Sequence, residues 1–418
     1  MDTRPLELVN RGNYCFANAT LQAIFRIPTL LDELDRCCDN EEIKATQEER
    51  KFATGFSNLQ RACLHSNKFC NNEQESFLDV CREYLPYLFA KQQEQEQQDA
   101  AELALSLLSL LSDIMNRNRF ADGSLGIDEP PFYSTTSIAT VDGETAQYIR
   151  SCAHRKWQLY EDLHRSPVES VITGQLVIVG QCSICLRVKV QNETFSILPV
   201  PCDSKQTNKS VLSLEDMIDT LRTTNGMTGE DDGIAYGTVC NIVGHRQWRR
   251  REVLGHLNKA LVIQIMRFAF DTSSKDSVKV TTPVSIPNNL TIASTEESAP
   301  LKYRLFAAVL HLGGRSTSSG HYIAYAVDNR CGGWWCFNDD AAVNAVVDID
   351  AEMKKPSFLQ NAYMLFYERF VVGVDGAVQR LEDVAKVLDR IDGKKLSVVG
   401  WPGRLRKGRS CIGGAARR

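Results

Sequence analysis

The chain reads as an α+β protein, with a helical first half and a β-rich second half that is mostly antiparallel. Three observations carry this. Apolar residues up to about position 115 recur at helical spacing. After Pro167 they gather instead in short runs of Val, Ile, Tyr and Phe separated by turn clusters. With 418 residues, 43% hydrophobic and 24% charged, the chain has the composition of an ordinary globular protein able to bury a sizeable core.

Taken in order, residues 1–5 form a polar tail and residues 6–165 the helical half. Ala17, Leu21, Ile24 and Phe25 set one helix face, and Pro28 closes it. Ala100, Leu103, Ala104, Leu107, Leu108 and Leu111 follow i, i+3, i+4, i+7 spacing, which predicts a strongly amphipathic helix after the Gln/Glu-rich run 92–98. Residues 120–150 lose periodicity, gather Gly, Asp, Pro, Ser and Thr, and read as a loop or poorly ordered insertion. The β-rich half, 166–370, has strand-like runs at 171–179, 261–268, 303–312, 322–327 and 362–367. In 371–393, Ala377, Leu381, Val384, Leu388 and Ile391 predict one more amphipathic helix, with Asp375 as N-cap and Gly393 as stop. The remainder, 394–418, reads as a basic, disordered tail.

Several classes are set aside. A net charge of −4 argues against a nucleic-acid-dominated surface. Met1–Pro5 lacks the apolar core of a secretory signal, and Leu103–Met115 is too short to span a bilayer, so no membrane is expected. The 14 cysteines are scattered and read as reduced thiols of a cytoplasmic or nuclear protein.

Chemistry concentrates in two places. The first is Asn10-Arg11-Gly12-Asn13-Tyr14-Cys15, running into Phe16–Gln22. A thiol at a helix mouth feels the partial positive charge of the first turn, which favours thiolate, the nucleophilic form. Asn10 and Asn13 lie beside it as amide donors; the alternative is a buried cysteine acting as a small apolar residue. The second is Gly320-His321-Tyr322, where the Gly- and Ser-rich loop 313–320 empties into a strand. An imidazole base needs a neighbour to hold its other nitrogen, and Asn338 or Asp339 on the next strand suits.

Together these segments resemble the ubiquitin-specific protease family of deubiquitinating enzymes. Asn10–Gln22 is similar to its cysteine box, and Gly320–Tyr325 with Trp335–Asp339 to its histidine box. Gln97–Glu102, Leu261–Phe268, Tyr303–Val309 and Ala362–Tyr367 match further family segments in the family's order, from residue 6 to about 370.

The resemblance implies a papain-like cysteine peptidase fold with a helical thumb, a β-rich palm and a β-ribbon fingers extension. It implies hydrolysis of the bond after ubiquitin's C-terminal glycine through an acyl-enzyme. Cys15 is the implied nucleophile, His321 the acid–base, Asn338 its orienting residue with Asp339 alternative or supporting, and Asn10 the oxyanion donor. Asp99 and Glu102 would meet ubiquitin's basic tail, joined by Phe268 and Tyr322; the plain reading of the two acids is helix-dipole complementation.

Catalysis needs no cofactor on this reading. A structural zinc would need four ligands, and Cys182, Cys185 and Cys240 supply three, with Val243 where the fourth belongs and His245 offset by two residues, which favours a metal-free ribbon. The expected partners are ubiquitin and ubiquitinated proteins, with the chain a monomer. The competing readings are an inactive ubiquitin-binding relative, a protease for a ubiquitin-like modifier, and an unrelated intracellular cysteine peptidase.

Overall fold

The computed structural model describes residues 5–10, 12–38, 43–65, 71–89, 97–118, 133–135, 138, 143–202, 210–221, 225–228, 247–271, 276–297, 299–314, 319–328, 330–339, 341–372 and 378–380. Helices dominate first: α1 (Cys15–Ile24), α2 (Leu30–Cys38), α3 (Gln47–His65), α4 (Asn71–Tyr84), α5 (Pro86–Phe89) and α6 (Ala100–Met115). Then come β1 (Tyr133–Ser134), α7 (Gly143–Leu163) and α8 (Pro167–Val171).

Helix α7 corrects the loop reading of 120–150 over its last eight residues. Its inner face runs Thr145, Ile149, Cys152, Ala153, Trp157, at helical spacing but opened by a polar residue. Thr145 is nonetheless fully buried, its hydroxyl bonded to those of Tyr133 and Thr135. A threonine paired this way occupies an apolar position that periodicity alone does not count.

The β-rich half holds β2 (Gly174–Cys182), β3 (Arg187–Phe195), β4 (Leu198–Pro201), β5 (Leu212–Ser213), α9 (Leu214–Thr220), β6 (Asn225–Thr228), β7 (Gln247–Leu254), β8 (Ala260–Met266), β9 (Phe268–Asp271) and β10 (Asp276–Lys279). It continues with β11 (Val284–Ser285), β12 (Asn289–Ile292), β13 (Leu301–Leu312), β14 (His321–Val327), β15 (Trp334–Asn338), β16 (Ala341–Val346), α10 (Ile349–Met353), α11 (Pro356–Asn361), β17 (Ala362–Val372) and β18 (Val378–Arg380).

Two larger sheets result. One runs β1-β3-β2-β7-β6, with the Val177, Val179, Val188 and Val190 face packed on α7. The other runs β16-β15-β14-β13-β17-β8-β4, with β16–β15, β15–β14, β14–β13 and β17–β8 antiparallel and β4–β8 parallel. Its central strands are buried on both faces, so their sequences read as unbroken apolar runs rather than alternation. Val309, Ala324, Ala326, Met364 and Phe366 face the helical core, while Ala308, Leu310, Ile323, Tyr325 and Leu365 face a second core. The helix-facing side is rich in alanine opposite Ala17, Ala19 and Ala23 of α1, which lets α1 lie close on β14.

The chain divides into two compact units, Met1–Arg369 and Phe370–Arg418. In the second, Phe370–Val372 pairs antiparallel with Val378–Arg380. Strand therefore stands at 378–380, within the span where a helix is expected from apolar spacing. Phe370, Val371 and Val372 continue a strand whose edge the β-forming Val378-Gln379-Arg380 can pair, and ladder bonds outweigh weak local propensity. The rest of that helix, and the basic tail 394–418, lie outside the described residues.

Candidate active site

The nucleophile arm runs from Leu6 to Tyr14 and is fastened by side chains. Gln22 Nε2 donates to the Leu6 carbonyl and Asn18 Nδ2 to the Leu8 carbonyl. Gln74 of α4 both accepts from Val9 N–H and donates to Val9 C=O, at 2.9 Å each way. From Leu6 to Val9, amide side chains serve the arm's backbone where a neighbouring strand otherwise would. Gly12, at φ 132°, turns the chain, and Tyr14 N–H donates to Asn10 Oδ1 at 2.9 Å as α1 begins. Cys15 is the first residue of α1 and is buried.

The histidine comes from a backbone ladder. β13 and β14 pair from Ala307–Ala326 out to Leu312–His321, so His321 opens β14 at the end of this ladder. β15 pairs with β14 and breaks register with β16 between Cys336 and Asn338, a bulge of the kind that re-aims a side chain. Asn338 Oδ1 lies 2.5 Å from His321 Nε2, which leaves Nδ1 for the thiol. Cys15, His321 and Asp339 present their reactive atoms within 4.8 Å of one another. The hydrogen bond with Cys15 is the main influence on His321, supported by Asn338 and the charges of Cys15 and Asp339; together they overcome burial and push its pKa up to about 9. The imidazole is therefore a cation at neutral pH, partnered with the sulfur it serves.

Asp339 sits in the left-handed region at φ 47°. Its carboxylate accepts from Asn10 Nδ2 at 3.0 Å and Asn18 Nδ2 at 2.9 Å, and lies 3.8 Å from His321 Nδ1. Asn338 thus holds the imidazole, while Asp339 ties the histidine side to the cysteine arm.

One contributor escaped sequence reasoning. Gln97 Nε2 donates to Cys15 Sγ at 2.9 Å and to the Gly320 carbonyl at 3.2 Å. The amide on the sulfur is this glutamine, whereas Asn10 directs one N–H to Asp339. Both hydrogens of the Gln97 amide are thus engaged, one by the sulfur and one by the Gly320 carbonyl. The available signal is Gln97's place at the head of the family-like segment Gln97–Glu102, two residues before the cap of α6.

Asp99 caps α6, accepting from Ala101 N–H at 2.7 Å and Glu102 N–H at 3.3 Å. Tyr363 O–H donates to the same carboxylate at 2.8 Å. Glu102 is exposed beside it. Phe268 is half-buried, edge-on to His311 and Tyr363. Tyr322 departs from expectation: it is 1% exposed and lies against His311, so it supports this wall from behind and cannot touch a substrate. Alternation along β14 explains this, since exposing His321 turns the next side chain inward.

Cys182 ends β2 and Cys185 sits in the turn to β3, with Leu186 at φ 61°. Cys240 lies outside the described residues. The described residues therefore hold two of the three thiols named for a tetrahedral zinc set. A cleft of about 310 Å³ lined by Trp157, Tyr160, His164 and Glu169 lies elsewhere and includes none of the reactive trio.

The family model described as ubiquitin carboxyl-terminal hydrolase matches residues 6–367. The chain belongs to this family. Its fold is the α+β, papain-like fold of ubiquitin-specific protease catalytic domains. It is 24% identical over 380 residues to the probable ubiquitin carboxyl-terminal hydrolase 4 of Schizosaccharomyces pombe, covering 88% of this chain and 59% of that protein. Ubiquitin carboxyl-terminal hydrolase 21 of Mus musculus is 24% identical over 364 residues, covering 86% and 61%. The chain therefore spans about three fifths of the length of these curated relatives. Among solved structures, the SAGA Ubp8/Sgf11/Sus1/Sgf73 DUB module bound to ubiquitin aldehyde aligns with a TM-score of 0.59 at 17% identity, over 88% of this chain and 70% of that one.

Proposed function

We propose that this chain is a thiol-dependent deubiquitinase. The observation that carries the reading is His321, bonded to Asn338 and with its ring nitrogen within 4.8 Å of the Cys15 sulfur and the Asp339 carboxylate. In the mechanism this supports, Cys15 Sγ attacks the carbonyl carbon of ubiquitin's C-terminal glycine and a C–S bond forms. His321 gives its proton to the leaving lysine amine as the C–N bond breaks. A water, deprotonated by His321, then attacks the thioester and releases ubiquitin's carboxylate with the thiol restored. Asn10 would donate to the oxyanion, a contribution of roughly 2.7–4 kcal/mol for such a donor. Asp99 and exposed Glu102 suit the guanidinium groups of a basic tail. No step passes through a metal.

Free thiols at Cys15, Cys81, Cys152, Cys185, Cys331 and Cys336 support a reducing compartment, cytoplasm or nucleus, as the place of action. Among the described residues no helix is long and apolar enough to cross a membrane.

The test is reaction with ubiquitin carrying a C-terminal electrophile. A covalent adduct at Cys15, absent in Cys15→Ala, is the expected result. Folded protein that binds ubiquitin without forming the adduct would make it an inactive binder. Preferential labelling by a ubiquitin-like modifier bearing the same electrophile would reassign the substrate.

A further inference from the structure

His311 lies in β13, ten residues before His321, and is fully buried. Its ring packs edge-on against Phe268 at 5.3 Å and Tyr322 at 4.6 Å. Its Nε2 lies 3.1 Å from the Ser319 carbonyl and Nδ1 makes no hydrogen bond, so Nε2 carries the proton and donates. Burial, helped by nearby Lys279, pushes its pKa down to about 4, which keeps it a neutral donor across the physiological range.

The residue after Ser319 is shaped to this contact. Gly320 has φ +129°, and a Cβ there would come within 2.7 Å of both His311 Nε2 and the Leu312 carbonyl. Lys279 secures the other end of the turn. Its buried ammonium donates to the carbonyls of His311 at 2.5 Å and Gly313 at 3.2 Å, and to Asn361 Oδ1 at 2.7 Å. Both ends of the segment that delivers His321 are therefore held by buried donors outside the β13–β14 ladder.

We infer that His311, with Lys279 behind it, is a positioning residue for His321: it holds Ser319 and Gly320 so that β14 begins with the catalytic imidazole against Cys15. The inference deepens the proposed activity and rests on that assignment of His321. The competing role is packing alone, in which His311 fills space between Phe268 and Tyr322. The two differ in what a side chain of similar bulk without a donor does to His321.

The test uses the full chain with His311→Leu and His311→Gln, the second able to donate to Ser319. Two readouts need no ubiquitin: alkylation of Cys15 by iodoacetamide at neutral pH, and titration of the His321 ring by NMR on histidine-labelled protein. With His311→Leu we expect alkylation to slow about tenfold, and the His321 midpoint to fall from about 9 toward its ordinary 6.5. Turnover of a ubiquitin substrate should fall about 10²-fold with little change in KM, as for a misplaced catalytic group. His311→Gln should recover most of each loss. A folded His311→Leu protein with wild-type alkylation and titration overturns the inference, and so does a His311→Gln protein no better than His311→Leu. Should His311→Leu fail to fold, Lys279→Met decides: the same fall in the His321 midpoint supports the inference and an unchanged midpoint overturns it. Wild-type protein that takes no ubiquitin electrophile sinks the deubiquitinase reading instead, while both ubiquitin-free readouts still decide His311.

Discussion

The two halves of the active site are held by different forces. His321 and Asn338 stand on strands whose register is set by consecutive backbone hydrogen bonds. Cys15 follows an arm that has no strand beside it and is secured by the amides of Gln22, Asn18 and Gln74. A ladder spreads its hold over many peptide groups, so most single side chains along it are replaceable. A clamp of three amides concentrates the hold, and each buried group left without its partner costs about 1–3 kcal/mol. The halves meet at Asp339, which accepts one amide from before the cysteine and one from within its helix.

The largest effect is expected where the arm touches the chemistry. Asn10→Ala should lower kcat by about 10²–10³ while ubiquitin binding survives, because it removes a donor and a tie to Asp339. Steady-state kinetics beside a binding measurement checks this, and unchanged turnover would discard the oxyanion role.

Next is the clamp itself. Asn18→Ala removes the bonds its amide makes to the Leu8 carbonyl and to Asp339 Oδ1, and should cost about 2–3 kcal/mol of unfolding free energy in urea titrations. A loss below ~0.5 kcal/mol would mean that the arm is held elsewhere, and the contrast between the halves would dissolve.

A subtler contrast lies in pH. His321 has a folded-state pKa near 9, above its ordinary 6.5. Its charged form therefore adds stability in full below about pH 6.5, and this is lost as pH rises through about 9. The alkaline limb of the kcat/KM profile should follow that titration. Asn338→Ala removes a bond that favours the cation, so the limb should move to lower pH; a shift in the other direction would contradict the assigned orientation.

The smallest effect belongs to the ladder's outer face. Thr291→Ala on β12, exposed opposite Lys302, should change stability by no more than about 0.5 kcal/mol and leave turnover intact. Its measurement beside Asn18→Ala, on one protein, gives the contrast a scale.

Elements with strong periodicity were legible from residues alone. Helix α6 and strands β8, β13, β14 and β17 lie where apolar spacing places them, because burial of one stripe or of both faces leaves a pattern in the order of side chains. The start of helix α7 carries no such pattern, because a hydroxyl network replaces apolar contact at Thr145. At 378–380 local spacing points to helix, since pairing with Phe370–Val372 is invisible to it.

By itself the sequence determined the α+β class, the separation of helical and strand-rich halves, and the residue types from which a thiol hydrolase is made. Cys15, His321, Asn338 and Asp339 could all be named from local context and family pattern. Tertiary structure alone decided what each faces. A bulge in β15 gives Asn338 the histidine, a left-handed Asp339 takes both arm amides, and the pleat that exposes His321 buries Tyr322. It also brought Gln97 to the sulfur across 82 residues of chain. Hydrogen bonds act over about 3 Å, and no spacing along a sequence records which distant groups come that close.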